Sequence, residues 1–133
     1  MNEKVLIVED EVLIALDLED MVEESGMKVV GIANNMERAM EAAPLADIAF
    51  VDVNLSDGPT GPAIGQMLAE KFGIAVIFMT ANPEVVAQGV SGTLGVVTKP
   101  IAPRVVEQSL RYAMRRRTGQ LATVPAEMQV FVA

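Results

Sequence analysis

Short, nearly unbroken apolar runs alternate along this chain with longer stretches whose apolar residues recur at helical spacing. Residues 4–8 (KVLIV), 28–33 (KVVGIA), 47–52 (DIAFVD), 74–80 (IAVIFMT) and 93–98 (TLGVVT) are the runs. Their length, β-branched content and turn-forming flanks predict strands. Between them, Val12, Leu13, Leu16, Met21 and Val22 lie near helical spacing, with Gly26 as a C-terminal stop. A second helix follows Asn34 or Asn35, as caps, and ends before Pro44. A third opens at Thr60 with Pro62 in its first turn and ends at Gly73. A short fourth is predicted over 83–90, weakened by Gly89, and a fifth over 103–117, opened by Pro103 and closed by a basic turn that suits the helix dipole.

Five strand–helix alternations with strands of continuous Val, Ile and Leu imply an α/β domain whose parallel sheet is covered on both faces. Right-handed crossovers leave few topologies. The doubly wound order 2-1-3-4-5 reverses between strands one and three, and ligands of such sheets sit beyond the carboxyl ends of the strands at that point. No repeat and no dividing linker appears. Residues 1–117 form one domain, and residues 118–133 (TGQLATVPAEMQVFVA) are a tail too short for a second.

Composition narrows the chemistry. The 133 residues contain no Cys and no His, which excludes a Ser-His-Asp triad, a Cys-His pair, an ordinary zinc site and a disulfide framework. Carboxylates, lysine, hydroxyls and a hard, oxygen-bound metal remain. No run is long enough to span a membrane and the acidic N-terminus lacks a signal-peptide layout, so a cytoplasmic location is expected. The net charge of −8 argues against nucleic-acid binding. It is lopsided: residues 1–60 hold 14 acids against 3 bases, residues 61–133 hold 4 acids against 7 bases.

Charged and polar groups stand at the strand ends. Strand one runs into Glu9-Asp10, strand three into Asp52, strand four into Thr80 and strand five into Lys99-Pro100. Singly, each reads more readily as a solvated, capping or packed residue at a loop's start. A parallel sheet, however, brings all these ends to one edge. Three carboxylates so placed repel one another, and one takes up a proton unless a cation joins them. Oxygen ligands favour Mg²⁺ or Ca²⁺, and Mg²⁺ characteristically keeps waters and phosphate oxygens besides one or two carboxylates. Asp52 is then free to act as a nucleophile forming an acyl phosphate. The metal and Lys99 neutralise phosphoryl charge, and Thr80 donates a hydrogen bond to it.

The motifs VLIVEDE, AFVDVNLSDG, VIFMTA and VVTKP, in this order and each at a strand end, resemble the receiver domain of two-component response regulators over residues 4 to about 117. The resemblance implies a flavodoxin-like (βα)5 fold with a five-stranded parallel sheet, of the stand-alone, bacterial type. It implies Asp52 as phosphoacceptor, Glu9 and Asp10 as Mg²⁺ ligands with Asp52 and the main-chain carbonyl of Asn54, Thr80 as switch hydroxyl and Lys99 as phosphoryl-binding ammonium. It implies a cis Lys99–Pro100 bond. The phosphodonor is expected to be a sensor histidine kinase or a histidine phosphotransfer protein, since this chain has no His of its own. Such a domain catalyses only its own phosphorylation and dephosphorylation.

The chain also departs from that pattern. Many receivers have Tyr or Phe three residues before the lysine, where this chain has Val96. Asn54 and Asn82, two residues beyond Asp52 and Thr80, are uncharged amides. With no DNA-binding segment after residue 117, output is expected through protein contacts on the surface of the 83–90 helix, the 93–98 strand and the 103–117 helix. A homodimer through that surface or the tail remains open. Leu121, Val124, Met128, Val130, Phe131 and Val132 make the tail apolar: either a frayed terminus or a cover for the last helix or a sheet edge. Two other readings are an aspartyl-phosphate phosphatase, against which Asn54 stands where that chemistry uses an Asp, and a pseudo-receiver that binds partners without phosphorylation, which Val96 keeps open.

Overall fold

The structure is a computed structural model and describes residues 3–131. Its sheet has the order β2-β1-β3-β4-β5-β6. Strands β1 (Lys4–Val8), β2 (Lys28–Ala33), β3 (Ile48–Asp52), β4 (Ala75–Thr80) and β5 (Gly95–Thr98) pair in parallel. This is the doubly wound order predicted. Helices α1 (Val12–Glu24), α2 (Met36–Ala42), α3 (Gly61–Phe72) and α4 (Pro103–Arg117) cover the two faces.

The period-2 alternation of the strands divides the core into two layers. Val5, Ile7, Phe50, Ile77 and Val97 face α1 and α4, where they meet Leu18, Val22, Val106 and Leu110. Leu6, Val8, Val51, Phe78 and Val96 face α2 and α3, where they meet Ala39, Ile64 and Leu68. Val132, in the apolar tail, lies outside the described residues. No helix among the described residues is long and apolar enough to cross a membrane.

The helix ends follow local chemistry. Asn35 caps α2 by accepting the Arg38 N–H at 2.9 Å. Gly73 closes α3 in the left-handed region, at φ 69°. Gly61 opens α3 where the chain runs against β3: a Cβ there would lie 2.0 Å from the Asp52 carbonyl oxygen and 2.6 Å from Val53 Cα. Only glycine lets this helix start so close to the strand end that carries Asp52.

Two elements differ from expectation. The segment 83–90 forms a 3-10 turn over Pro83–Val86 and no α-helix. Val85 and Val86 are poor helix formers, and Gly89 sits at φ 88°, which no right-handed helix continues. The tail adds a sixth strand, β6 (Met128–Val130), antiparallel to β5. Phe131 packs on Phe78 with ring centroids 6.3 Å apart, in the layer shared by Val96 and Val86.

Candidate functional site

The carboxyl ends of β1, β3, β4 and β5 meet at one edge of the sheet. Main-chain bonds beyond the strand ends keep them in register: Glu9 N–H donates to the Ala33 carbonyl at 2.9 Å, Val53 N–H to Met79 at 3.0 Å and Lys99 N–H to Thr80 at 2.9 Å. All of Glu9, Asp10, Asp52, Thr80 and Lys99 therefore arrive where the topology predicts. Glu9, Asp52 and Thr80 are buried, at 1, 5 and 1 % exposure. Asp10 is half-buried and Asn54 exposed.

Lys99 organises the centre. Its Nζ donates to Glu9 Oε1 at 2.8 Å and to Asp52 Oδ2 at 2.9 Å. The Lys99 side chain keeps 18 % exposure while the Glu9 side chain has none. Burial pushes the Glu9 carboxyl above its usual range, and the hydrogen bonds from Lys99 and the Glu11 N–H oppose that only in part. For Lys99, burial alone favours the neutral amine, but its bonds to Glu9 and Asp52 outweigh it and raise the ammonium pKa. The Lys99–Pro100 bond is cis.

The remaining oxygens of the two carboxylates are held by main chain. Glu9 Oε2 accepts the Glu11 N–H and Asp52 Oδ1 accepts the Asn54 N–H, both at 3.1 Å. Thr80 Oγ1 accepts the Asn82 N–H at 3.1 Å, which leaves the hydroxyl proton available. Asp52, Asn54, Thr80 and Lys99 line one open hollow of about 510 Å³ together with Asp10 and Ser56. Ser56 was not foreseen from sequence. Its N–H and hydroxyl both donate to Asp10 Oδ2, and nothing in the turn LSDG marks it for that task.

One carboxylate oxygen from each of Glu9, Asp10 and Asp52 lies within 4.8 Å of the others. An all-oxygen donor set of this charge fits a hard divalent cation.

A family model, response regulator receiver domain, matches residues 5–111. The chain belongs to the response regulator receiver domain family. The receiver domain is 34% identical over 132 residues to the phyllosphere-induced regulator PhyR of Methylorubrum extorquens, covering 92% of this chain and 49% of that protein. The solution structure of the Erythrobacter litoralis PhyR receiver domain superposes with TM-score 0.76 at 29% identity, covering 94% of this chain and 97% of that one. The anti-anti-sigma factor PhyR from Bartonella quintana gives TM-score 0.77 at 31% identity, over 90% of this chain and 50% of that one. This receiver domain thus spans about half the length of PhyR.

Proposed function

We propose that this receiver domain accepts a phosphoryl group on Asp52 from the phosphohistidine of a sensor histidine kinase or histidine phosphotransfer protein, and signals through protein contacts. The observation that carries this reading is the Lys99 ammonium bridging Glu9 and Asp52 at 2.8 and 2.9 Å beside a third carboxylate, Asp10.

The residues divide the work. The Asn54 N–H and Lys99 hold both oxygens of Asp52, so the carboxylate is oriented before a donor arrives. As the donor's N–P bond breaks, its electron pair returns to the imidazole and an Asp52 Oδ–P bond forms. Lys99 then shifts from carboxylate to phosphoryl oxygen, and Thr80 turns its free proton toward a second one. Glu9, Asp10, Asp52 and the Asn54 carbonyl would hold Mg²⁺. Bound there, the cation supplies positive charge against the phosphoryl oxygens. The domain turns over no other substrate: its chemistry is its own phosphorylation and dephosphorylation.

A donor needs a landing surface. Val12, Leu13 and Leu16 on α1 are exposed immediately after Asp10, and an apolar hollow of about 360 Å³ between Ile14, Met21 and Ile101 opens at Lys99. Exposed apolar area beside the phosphoacceptor suits docking of a helical phosphodonor. The likeness to PhyR, one example of which is described as an anti-anti-sigma factor, favours output to a protein partner rather than to DNA.

The test is intact mass after incubation with Mg²⁺ and acetyl phosphate, then with a phosphohistidine donor, beside Asp52→Asn. One phosphoryl adduct, lost in Asp52→Asn and without metal, is expected. No adduct from either donor refutes the reading in favour of a phosphorylation-independent receiver. Steady release of phosphate from small esters would refute it in favour of a phosphatase.

A further inference from the structure

The tail strand contributes no residue to the phosphoacceptor site. β6 pairs with β5 over three residues, Val97 with Met128, Val96 with Gln129 and Gly95 with Val130. Its side chains alternate. Met128 is buried and Val130 partly buried against the layer of α1 and α4, while Phe131 enters the layer of α2 and α3. Gly95 is shaped for this approach, since a Cβ there would lie 2.5 Å from the Gln129 carbonyl oxygen. The β5 edge is thus fitted to an extended backbone, and with α-helix lacking over 83–90 it needs one to cover Phe78 and Val96.

The present occupant is seated at its end, where Pro125 and Met128 are buried and the Phe131 N–H donates to the Leu94 carbonyl at 2.9 Å, but its approach is irregular. Residues 118–127 that lead to it form no helix or strand, and Leu121 is almost fully exposed. It also matches the charge of its surroundings poorly. Arg104, Arg111 and Arg115 line a hollow of about 590 Å³ between α4 and the tail. Glu127, the tail's one acid, reaches only Arg104, at 2.5 Å. Arg111 pairs with Glu107 of its own helix, and Arg115 forms no ion pair among the described residues. An occupant with more acids ahead of its apolar alternation would fit this groove better.

We infer that the β5 edge is a docking site for an extended, acidic segment of a partner protein, and that residues 127–131 are its resident competitor. Main-chain pairing with Gly95–Val97 supplies the fit of a strand added to a sheet edge, and the arginines of α4 select acidic sequences. An intramolecular competitor weakens any outside segment by the fraction of time the edge stands open. The inference does not depend on phosphorylation of Asp52.

The experiment uses the full chain and a fluorescent peptide of residues 120–131 carrying Thr123→Glu and Ala126→Glu, two positions that line the arginine hollow. Phe131→Ala removes the tail's anchor. The peptide should bind this variant roughly tenfold more tightly than the wild-type protein, and less tightly as salt rises. Amide exchange at residues 128–131 reports whether the tail has opened. Gln129→Pro, at an exposed position, removes one ladder donor and serves as a second opened form should Phe131→Ala disturb the core. Equal affinity for variant and wild type, no binding to a variant whose tail has opened, or protection that persists in both variants each overturns the inference. A concentration-dependent dimer in sedimentation, with no peptide binding, overturns it in favour of strand exchange between two copies.

Discussion

Replacing Lys99 with Met removes the ammonium and keeps most of the side chain's volume. It strands two buried carboxylates, Glu9 with no side-chain exposure and Asp52 with 8 %. Breaking a buried pair characteristically costs about 3–5 kcal/mol. The 18 % exposure of Lys99 admits some solvent, which places this case near the lower end, at about 3 kcal/mol. For a chain of 133 residues the unfolding entropy near Tm is roughly 0.28 kcal/mol/K, so the melting temperature should fall by about 10 °C at neutral pH in EDTA. Two arms separate the charge effect from a packing defect. In a Glu9→Gln background the same replacement strands one carboxylate rather than two and should cost less, a coupling read by a double-mutant cycle. Saturating Mg²⁺ should return much of the loss, because a cation among the same oxygens replaces the missing charge. Thermal and urea denaturation of the four proteins decide the matter. A Lys99→Met cost below about 0.5 kcal/mol, or an equal cost in both backgrounds, would refute the account of Lys99 as the counter-ion that holds the site together.

Three further outcomes follow from the same geometry. Gly61→Ala drives a Cβ into the Asp52 and Val53 main chain, so it should destabilise by about 1–3 kcal/mol in urea unfolding and slow phosphorylation by acetyl phosphate through displacement of Asp52. Because burial raises the Glu9 carboxyl pKa, the folded state keeps a proton there that the unfolded chain has released; metal-free stability should therefore fall as pH rises from 4.5 through the raised value, and Glu9→Gln should flatten that part of a pH-dependent denaturation series. Asn35→Ala removes the cap of α2 and should cost about 1 kcal/mol by the same unfolding assay, with no change in phosphorylation rate.

β1, β3 and β4 were legible because they are buried on both faces and so written in unbroken apolar residues; β2, partly exposed at the sheet edge, was legible from its β-branched run, and β1 and β2 begin and end as predicted. The end of α3 was legible for a local reason, since Gly73 carries its own conformational signal. Asp52, Thr80 and Lys99 could be placed together because a parallel sheet turns three strand ends into one locus. What escaped was set by contacts distant in sequence. β6 was legible only as one of two alternatives, a frayed terminus or a strand-like cover for the last helix or a sheet edge, and its pairing with the β5 edge, about thirty residues upstream, decides for the second. The turn over 83–86 was legible in part, since Gly89 marked the helix as weak and its φ of 88° stops a right-handed helix. Ser56 meets Asp10 across 46 positions, and a serine in a turn gives no notice of such a partner.

Lys99 and Glu9 touch although 90 positions separate them, and Asp52 lies between. A chain emerging during synthesis exposes Asp52 long before Lys99 exists, and an immature molecule lacking β5 has no ammonium at the site. The ion pair that ties Glu9 to Asp52 therefore forms only when the sheet is complete through β5. Under the proposed function, a copy truncated before β5 would retain Asp52 without the Lys99 ammonium that orients it.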